Sequence, residues 1–306
     1  MIRSRVLIAA SILAAQIASA TAACPGKFAV EVLGSGGPLA DDARASSSYL
    51  VWIEGKSRLL VDAGGGSFVR FGEAGADMTT LDAVLISHFH ADHVSDLAAL
   101  LKSASFDKKE EALMIAGPSG GAAFPGLNAF LAAHYDPLNG AYRYLSKLLS
   151  GEVGAFRIAG FEVDATGEGA TVILDKADFK VEAVPVNHGD VPALAYIVST
   201  DDGAAVFAGD QSLLSETFDR VLAGRQPDVL IAHHAISGAR GQPRGLHRDP
   251  GSIGEMAASA GAKRLILSHN MKRALDDWRA GRKAIRKSYK GKIDLAEDGM
   301  CLVIAR

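Results

Sequence analysis

The sequence predicts an α/β protein, on three observations. Apolar, β-branched runs alternate with stretches whose apolar residues recur at helical spacing. The runs form two series, each flanked by helical segments, and no Pro/Ser-rich linker or charge block divides them. Hydrophobic residues make up 48% of the 306, enough to fill one large core.

The first 23 residues read as an address and not as part of the fold. Arg3 and Arg5 give a positive start. The run from Val6 to Ala18 is apolar apart from Ser11 and Gln16. Ala18-Ser19-Ala20 or Ala20-Thr21-Ala22 supplies a small-residue cleavage site. The run is too short for a transmembrane helix. Arg3 and Arg5 are not adjacent, so the twin-arginine pattern is missing, and Thr21 spoils a lipoprotein box before Cys24. The expectation is an exported soluble protein, secreted or periplasmic, with a signal peptide at 1–23 and a single domain over 24–306. Removing Arg3 and Arg5 takes the formal charge from −3 to −5. An acidic protein gains little from phosphate-backbone attraction, which argues against general nucleic-acid binding. Cys24 and Cys301 stand near the two ends. They can pair in an oxidising compartment or stay apart, and spacing does not choose.

In order along the chain, residues 28–33 read as a strand ended by Gly34-Ser35-Gly36-Gly37-Pro38. No third glycine and no helix follow at the right spacing, so this is a tight turn and not a dinucleotide fingerprint. Residues 48–53 and 58–61 form a hairpin around Glu54-Gly55-Lys56, with Asp62 at its end. A buried strand at 81–86 leads through a loop to a helix marked by Val94, Leu97, Leu100 and Leu101. A short strand at 113–116 turns at Gly117-Pro118. Residues 124–149 read as two helices broken at 136–140, a candidate substrate-facing lid. Strands at 161–165, 171–174 and 178–186 are expected in a second sheet. They are followed by strands at 192–198 and 204–208, a helix at 212–223 and a strand at 228–232. Asp249 is an N-cap with Pro250 at the first helical position. Met271, Leu275, Trp278, Ile285 and Tyr289 mark one face of a closing helix whose other face is basic and reads as a solvated surface. A last strand spans 300–305.

The chemistry concentrates at Leu85-Ile86-Ser87-His88-Phe89-His90-Ala91-Asp92-His93-Val94. In an extended segment residues i and i+2 project the same way, so His88 and His90 can share one metal ion. Asp92 and His93 leave the turn in another direction and can take a second. Imidazole and carboxylate without thiolate suit zinc, manganese or iron. Asp62 is either a turn former or an acceptor that orients a ligating histidine, and the second reading is preferred.

This His-x-His-x-Asp-His spacing resembles the metallo-β-lactamase superfamily. The downstream pieces of that pattern follow in order: His188 after Val184-Pro185-Val186-Asn187, Asp210 after Ala205–Gly209, and His269 after Leu265-Ile266-Leu267-Ser268. The similarity runs from about residue 28 to 304. It implies an αββα sandwich of two mixed β-sheets flanked by helices. It also implies two divalent ions, expected to be Zn2+. His88, His90 and His188 would hold one, Asp92, His93 and His269 the other, and Asp210 would bridge them. A metal-bridging hydroxide would then be the nucleophile, with Asp92 both ligating and orienting it.

Asp210 places the resemblance among the phosphodiesterase, ribonuclease Z, arylsulfatase, lactonase and glyoxalase II branches, since true β-lactamases of this fold lack that bridge. Gly34–Pro38, Tyr196 and His247 lean toward the ribonuclease Z/arylsulfatase-like group. In the ribonuclease Z pattern a His-Ser-Thr stands at His247-Arg248-Asp249, and its histidine serves the transition state; His247 is the candidate proton donor here. The chain departs from that pattern at Arg248 and Asp249, and at His233-His234-Ala235, where relatives carry His-Glu-Ala. No basic Gly/Pro-rich arm of the kind that clamps tRNA is visible. The expected substrate is therefore a small phosphodiester, sulfate ester or related ester, not nucleic acid. The alternatives are a lactonase, a β-lactamase-type hydrolase and a non-catalytic metal-binding member of the fold.

Overall fold

The computed structural model describes residues 24–306 apart from residue 153; the segment read as an export signal lies outside them. In the first sheet, β1 (Phe28–Gly34), β2 (Ser48–Ile53) and β3 (Lys56–Val61) run antiparallel. β4 (Ala83–Leu85), β5 (Leu113–Pro118) and β6 (Ile158–Val163) continue from β3 in parallel. The second sheet repeats the scheme. β7 (Thr171–Asp175), β8 (Lys180–His188), β9 (Val191–Thr200) and β10 (Gly203–Phe207) are antiparallel. β11 (Val229–His233), β12 (Arg264–Ser268) and β13 (Lys292–Leu295) extend it in parallel. The final strand, β14 (Met300–Ala305), returns to the first sheet beside β1, giving seven strands in each.

Both faces of each sheet are covered, which is why β2, β4 and β11 are almost wholly apolar. Along β2, Tyr49, Val51 and Ile53 face the opposite sheet, whereas Leu50 and Trp52 face the outer helices. The inter-sheet core packs Val30, Val32 and Leu59 against Val181, Leu194, Tyr196, Ile231 and Ile266. On the outer side of the first sheet lie α1 (Ser67–Glu73), α2 (Ala91–Val94), α3 (Leu97–Ala104), α4 (Leu127–Tyr135) and α5 (Lys147–Ser150). They bury Phe71, Leu97, Leu101, Leu127, Leu131 and Leu148 against Leu50, Leu60 and Ile115. α6 (Glu216–Leu222), α7 (Pro250–Ala260) and α9 (Trp278–Ser288) do the same for the second sheet through Phe218, Ile253, Met256 and Ile285. The result is the αββα sandwich of two mixed sheets. A cavity opened at a fully buried site such as Leu60 costs about 2–5 kcal/mol.

Three expectations are corrected. The strand expected at 161–165 begins at Ile158 and completes the first sheet beside β5 instead of opening the second. Strand character does not name a partner; the crossover through α4 does, because parallel neighbours need one. The helix expected from 212 starts only at Glu216. Ser212 is engaged elsewhere: its N–H donates to the Asn187 carbonyl at 2.7 Å and its hydroxyl to Asn187 Oδ1 at 2.6 Å. The closing helix is two pieces, α8 (Lys272–Leu275) and α9, separated at Asp276-Asp277. Aspartate disfavours a helix interior and favours a helix start. Asp249 does cap α7 as expected, its Oδ1 accepting from the Ser252 N–H at 3.1 Å with Pro250 next.

Cys24 and Cys301 form a disulfide, with Cα atoms 5.4 Å apart and 277 residues between them in sequence. Among the described residues no helix is long and apolar enough to cross a membrane.

Candidate metal centre

The site is assembled from strand ends. β3 runs into Asp62, β4 into Ser87 and His88, β10 into Asp210 and β12 into His269, while β8 ends at His188 and β11 at His233. Two links between the sheets fix this edge. The Tyr196 hydroxyl donates to the Ile86 carbonyl at 2.8 Å, and the Leu194 N–H donates to the Ser87 carbonyl at 2.9 Å. Asp62 (φ 58°) and His269 (φ 51°) both sit in the left-handed region. Residues held there are costly, and such strain gathers at functional sites. The Gly34–Pro38 turn forms the floor under His269: a Cβ on Gly37 would lie 2.7 Å from the His269 ring. Only glycine allows that approach.

Asp210 is the hub. Its Oδ2 lies 3.6 Å from His188 Nε2, 3.6 Å from His269 Nε2, 3.7 Å from His93 Nε2 and 3.9 Å from His88 Nε2. The Nε2 atoms of His88, His93 and His188 are buried and have no hydrogen-bond partner. Three unpartnered buried nitrogens facing one carboxylate oxygen carry a desolvation cost that a cation would remove. The donor atoms fall into two sets that share Asp210: one with His88, His90 and His188, the other with His93, His233 and His269. Asp92 Oδ2 reaches the second set, 3.1 Å from His269 Nε2 and 3.5 Å from His93 Nε2. Imidazole and carboxylate donors without thiolate fit a divalent ion.

Three of the imidazoles, those of His93, His88 and His188, are held from behind. His93 Nδ1–H donates to Asp62 Oδ2 at 2.7 Å, which turns its Nε2 toward the cluster. Asp62 also accepts from the Ser87 N–H at 2.7 Å and from its hydroxyl at 2.8 Å. That hydroxyl oxygen lies 3.1 Å from His88 Nδ1, so Asp62 steadies His88 through Ser87. His188 Nδ1–H donates to the Leu246 carbonyl at 2.9 Å. His247 packs against both sets, its ring centroid 5.3 Å from His188 and 5.9 Å from His269, with Nδ1 3.7 Å from Asp210 Oδ1.

The electrostatics follow from burial set against charge. Burial works against ionisation of Asp210, but His269, His233 and His247 hold its carboxyl well below the usual range. Burial would also raise Asp92, yet the hydrogen bond from His269 brings it to about 2. Burial, then the neighbouring His93, pushes His88 far down, and burial first lowers His90. His93 goes the other way: burial lowers it, but the Asp62 carboxylate raises it to about 9. His247 is brought to about 4, chiefly by burial.

The structure brings every residue singled out by sequence to this one cluster: Asp62, His88, His90, Asp92, His93, His188, Asp210, His247 and His269. It adds two that were not singled out. Ser87 relays Asp62 to His88. His233 donates from Nδ1 to Asp210 Oδ1 at 2.7 Å, and its Nε2 lies 3.2 Å from the Tyr49 hydroxyl. With Nδ1 carrying the proton, His233 holds Asp210 Oδ1 and frees Oδ2 for the cluster. The signal was an apolar strand ending in histidine at 233, the same pattern that picked out His188. His234 turns away, its Nδ1 3.1 Å from Asn270 Oδ1 and its ring edge-on to Trp278.

Comparison with known proteins gives the same answer. A family model described as "Beta-lactamase superfamily domain" matches residues 57–270. A ribonuclease Z from Methanosarcina acetivorans is 27% identical over 301 residues, spanning 90% of this chain and 97% of that protein. A ribonuclease Z from a Mycobacterium species is 30% identical over 285 residues, spanning 88% and 93%. The crystal structure of human tRNase Z, short form, is similar with a TM-score of 0.69 at 21% identity, covering 91% of this chain and all of that one. A relative aligned over nearly its whole length, on the same two-sheet sandwich, settles the family: this chain is a hydrolase of the metallo-β-lactamase superfamily and belongs to its ribonuclease Z branch.

Proposed function

We propose that the protein is an exported hydrolase that uses two divalent ions, zinc by preference, on a small phosphodiester, sulfate ester or related ester. The observation that carries this reading is the convergence of unpartnered Nε2 atoms on Asp210 Oδ2. His88, His90 and His188 would hold one ion, Asp92, His93 and His269 the other, with Asp210 shared. When bound, such ions supply Lewis acidity: a water activated near neutral pH and a polarised ester oxygen. The chain does the rest. Asp62 and the Leu246 carbonyl fix which nitrogen of His93 and His188 faces inward. Asp92, ionised beside His269, orients the nucleophile. His247, packed over both sets, donates to the leaving oxygen or to a non-bridging oxygen.

The small-ester reading is supported by the acidic mature chain and by His234 and Arg248, both departures from the ribonuclease Z pattern. The named relatives favour a second reading, an RNA substrate. Export is supported by the Cys24–Cys301 disulfide, a bond typical of oxidising compartments. The decisive experiment is metal analysis of purified protein plus a panel of bis-p-nitrophenyl phosphate, aryl sulfate, homoserine lactone, nitrocefin and a tRNA precursor. The expected result is about two zinc ions per chain and turnover of the phosphodiester or sulfate. Absence of metal after titration would sink the metal reading. Efficient precursor cleavage with no small-ester turnover would move the substrate to RNA. N-terminal sequencing of periplasmic protein should find a start between Thr21 and Cys24; an intact Met1 in the cytoplasm overturns export.

A further inference from the structure

We infer that Arg248 is a positioning residue: it sets where His247 stands relative to Asp210. The inference rests on the reading of His247 above. An arginine beside a candidate proton donor would ordinarily be taken for a cation that meets substrate charge. Here the side chain is buried, 6% exposed, and its hydrogen bonds run into the protein. Nε donates to Gln211 Oε1 at 3.0 Å and Nη2 donates to Asp219 Oδ1 at 2.8 Å. Gln211 directly follows Asp210, and its own Nε2 donates to the Ala208 carbonyl at 2.7 Å. Asp219 lies on α6. One guanidinium therefore straps the loop 238–249 to the end of β10 and to a helix.

The residue on the other side of His247 is held too. The Leu246 carbonyl accepts from His188 at 2.9 Å. His247 is thus anchored at both neighbours, and each anchor ends on, or next to, a member of the cluster. The loop needs this. It has no helix or strand and carries Gly238, Gly241 and Gly245, so holding it in one conformation costs backbone entropy that the strap must offset. A planar fork reaches two diverging acceptors at once, which a lysine ammonium on its flexible stem does not.

The test uses the full mature chain loaded with zinc and the variants Arg248→Met, Arg248→Lys and Asp219→Asn. Arg248→Met should lower kcat on a phosphodiester about 10–100-fold while KM moves less than about 3-fold, because a misplacement near 1 Å has that effect. Arg248→Lys should recover part of the loss, and Asp219→Asn, which removes only the charge of the outer acceptor, should lose least. If the Arg248→Met substitution prevents folding, the lysine and asparagine variants carry the test. Amide hydrogen exchange at 243–249 should quicken in the order Asp219→Asn, Arg248→Lys, Arg248→Met. The sharpest reading is the double variant His247→Ala/Arg248→Met. A residue acting only through His247 adds nothing once His247 is gone, so the double variant should match His247→Ala alone. Fully additive losses, or wild-type exchange at 243–249, would overturn the inference. If His247→Ala itself keeps full kcat, the catalytic reading of His247 falls, and the exchange data alone decide whether Arg248 sets the loop.

Discussion

The two halves of the cluster are built from similar ligands but differ in charge. His88, His90 and His188 form an all-imidazole set, with a hydroxyl behind His88 and a peptide carbonyl behind His188. Burial keeps His88 and His90 low, so both stand deprotonated at neutral pH with their lone pairs free. The other set contains the Asp92 carboxylate, and its His93 is backed by the buried Asp62 carboxylate. Those anions draw a proton onto His93 that an incoming cation must displace. The first half is therefore preorganised for metal, whereas the second has the stronger field and a proton to release. Backing an imidazole with a carboxylate makes it a better donor once that proton has gone. The same donor types, gathered from several strand ends, would give two positions of different character because of the atoms behind them.

Both halves depend most on the residue they share, Asp210. Asp210→Ala should weaken both positions by more than about 100-fold, beyond the 10–100-fold typical of an outer partner. Equilibrium dialysis with elemental analysis checks this, and retention of either ion at wild-type affinity would rule out a bridging role. Next comes His247, which leans on both halves. His247→Ala should lower kcat by roughly 10²–10⁴-fold with metal content unchanged. A p-nitrophenolate leaving group should suffer less than an alkoxide if the role is proton donation, and equally if it is charge stabilisation. Wild-type kcat would make it an ordinary loop histidine.

Asp62→Asn sharpens the difference between the halves. Asparagine tolerates the positive φ, so the backbone is not the target. Affinity at the His93 position should fall about 10–100-fold, and the His88 position, reached only through Ser87, should lose less. Equal losses, measured by metal titration, would erase the asymmetry. The smallest effect is one of pH. His93 holds its proton up to about 9, so affinity at its position should rise about tenfold per pH unit between 7 and 9, while the other stays level. In metal-free protein the signs are fixed. The His93 contribution, its value raised from 6.5 to about 9, is fully present below pH 6.5 and is lost as pH rises through 9. The Asp92 contribution, lowered from 3.8 to about 2, is present above pH 3.8 and is lost as pH falls through 2. A metal-free Tm that rises from pH 6.5 to 9 would contradict this.

Much of this site could be read in the sequence because His88, His188, Asp210 and His269 each follow an apolar run, and the end of a buried strand is where a polar side chain must meet solvent or a partner; His90, Asp92 and His93 were marked by their spacing from His88. Asp249-Pro250 was legible for a local reason too, since a cap is written in adjacent residues. What escaped depended on distant partners. β6 has clear strand character, but its place beside β5 is set by the crossover through α4. β13, Lys292–Leu295, carries charge on an edge of the sheet and gives a weak apolar pattern. α1 opens at Gly66 in a left-handed conformation with no acidic first turn, so no start signal marks it. Ser87 and His233 act through contacts with Asp62 and Asp210, 25 and 23 residues away in sequence. Their type was visible; the contact that gives each its role was not.

The bond between Cys24 and Cys301 closes the chain between them, 277 residues apart in sequence, into a covalent ring. A single proteolytic nick anywhere between those positions opens the ring without releasing a fragment; two nicks, or one nick and a reductant, are needed to separate pieces. The exposed tips, such as the loop at 238–246, are therefore places where the molecule can be cut once and remain one covalent body. The ring cannot close until residue 301 has been made, 277 residues after Cys24, so the oxidised state marks chains in which both cysteines have been synthesised and brought together.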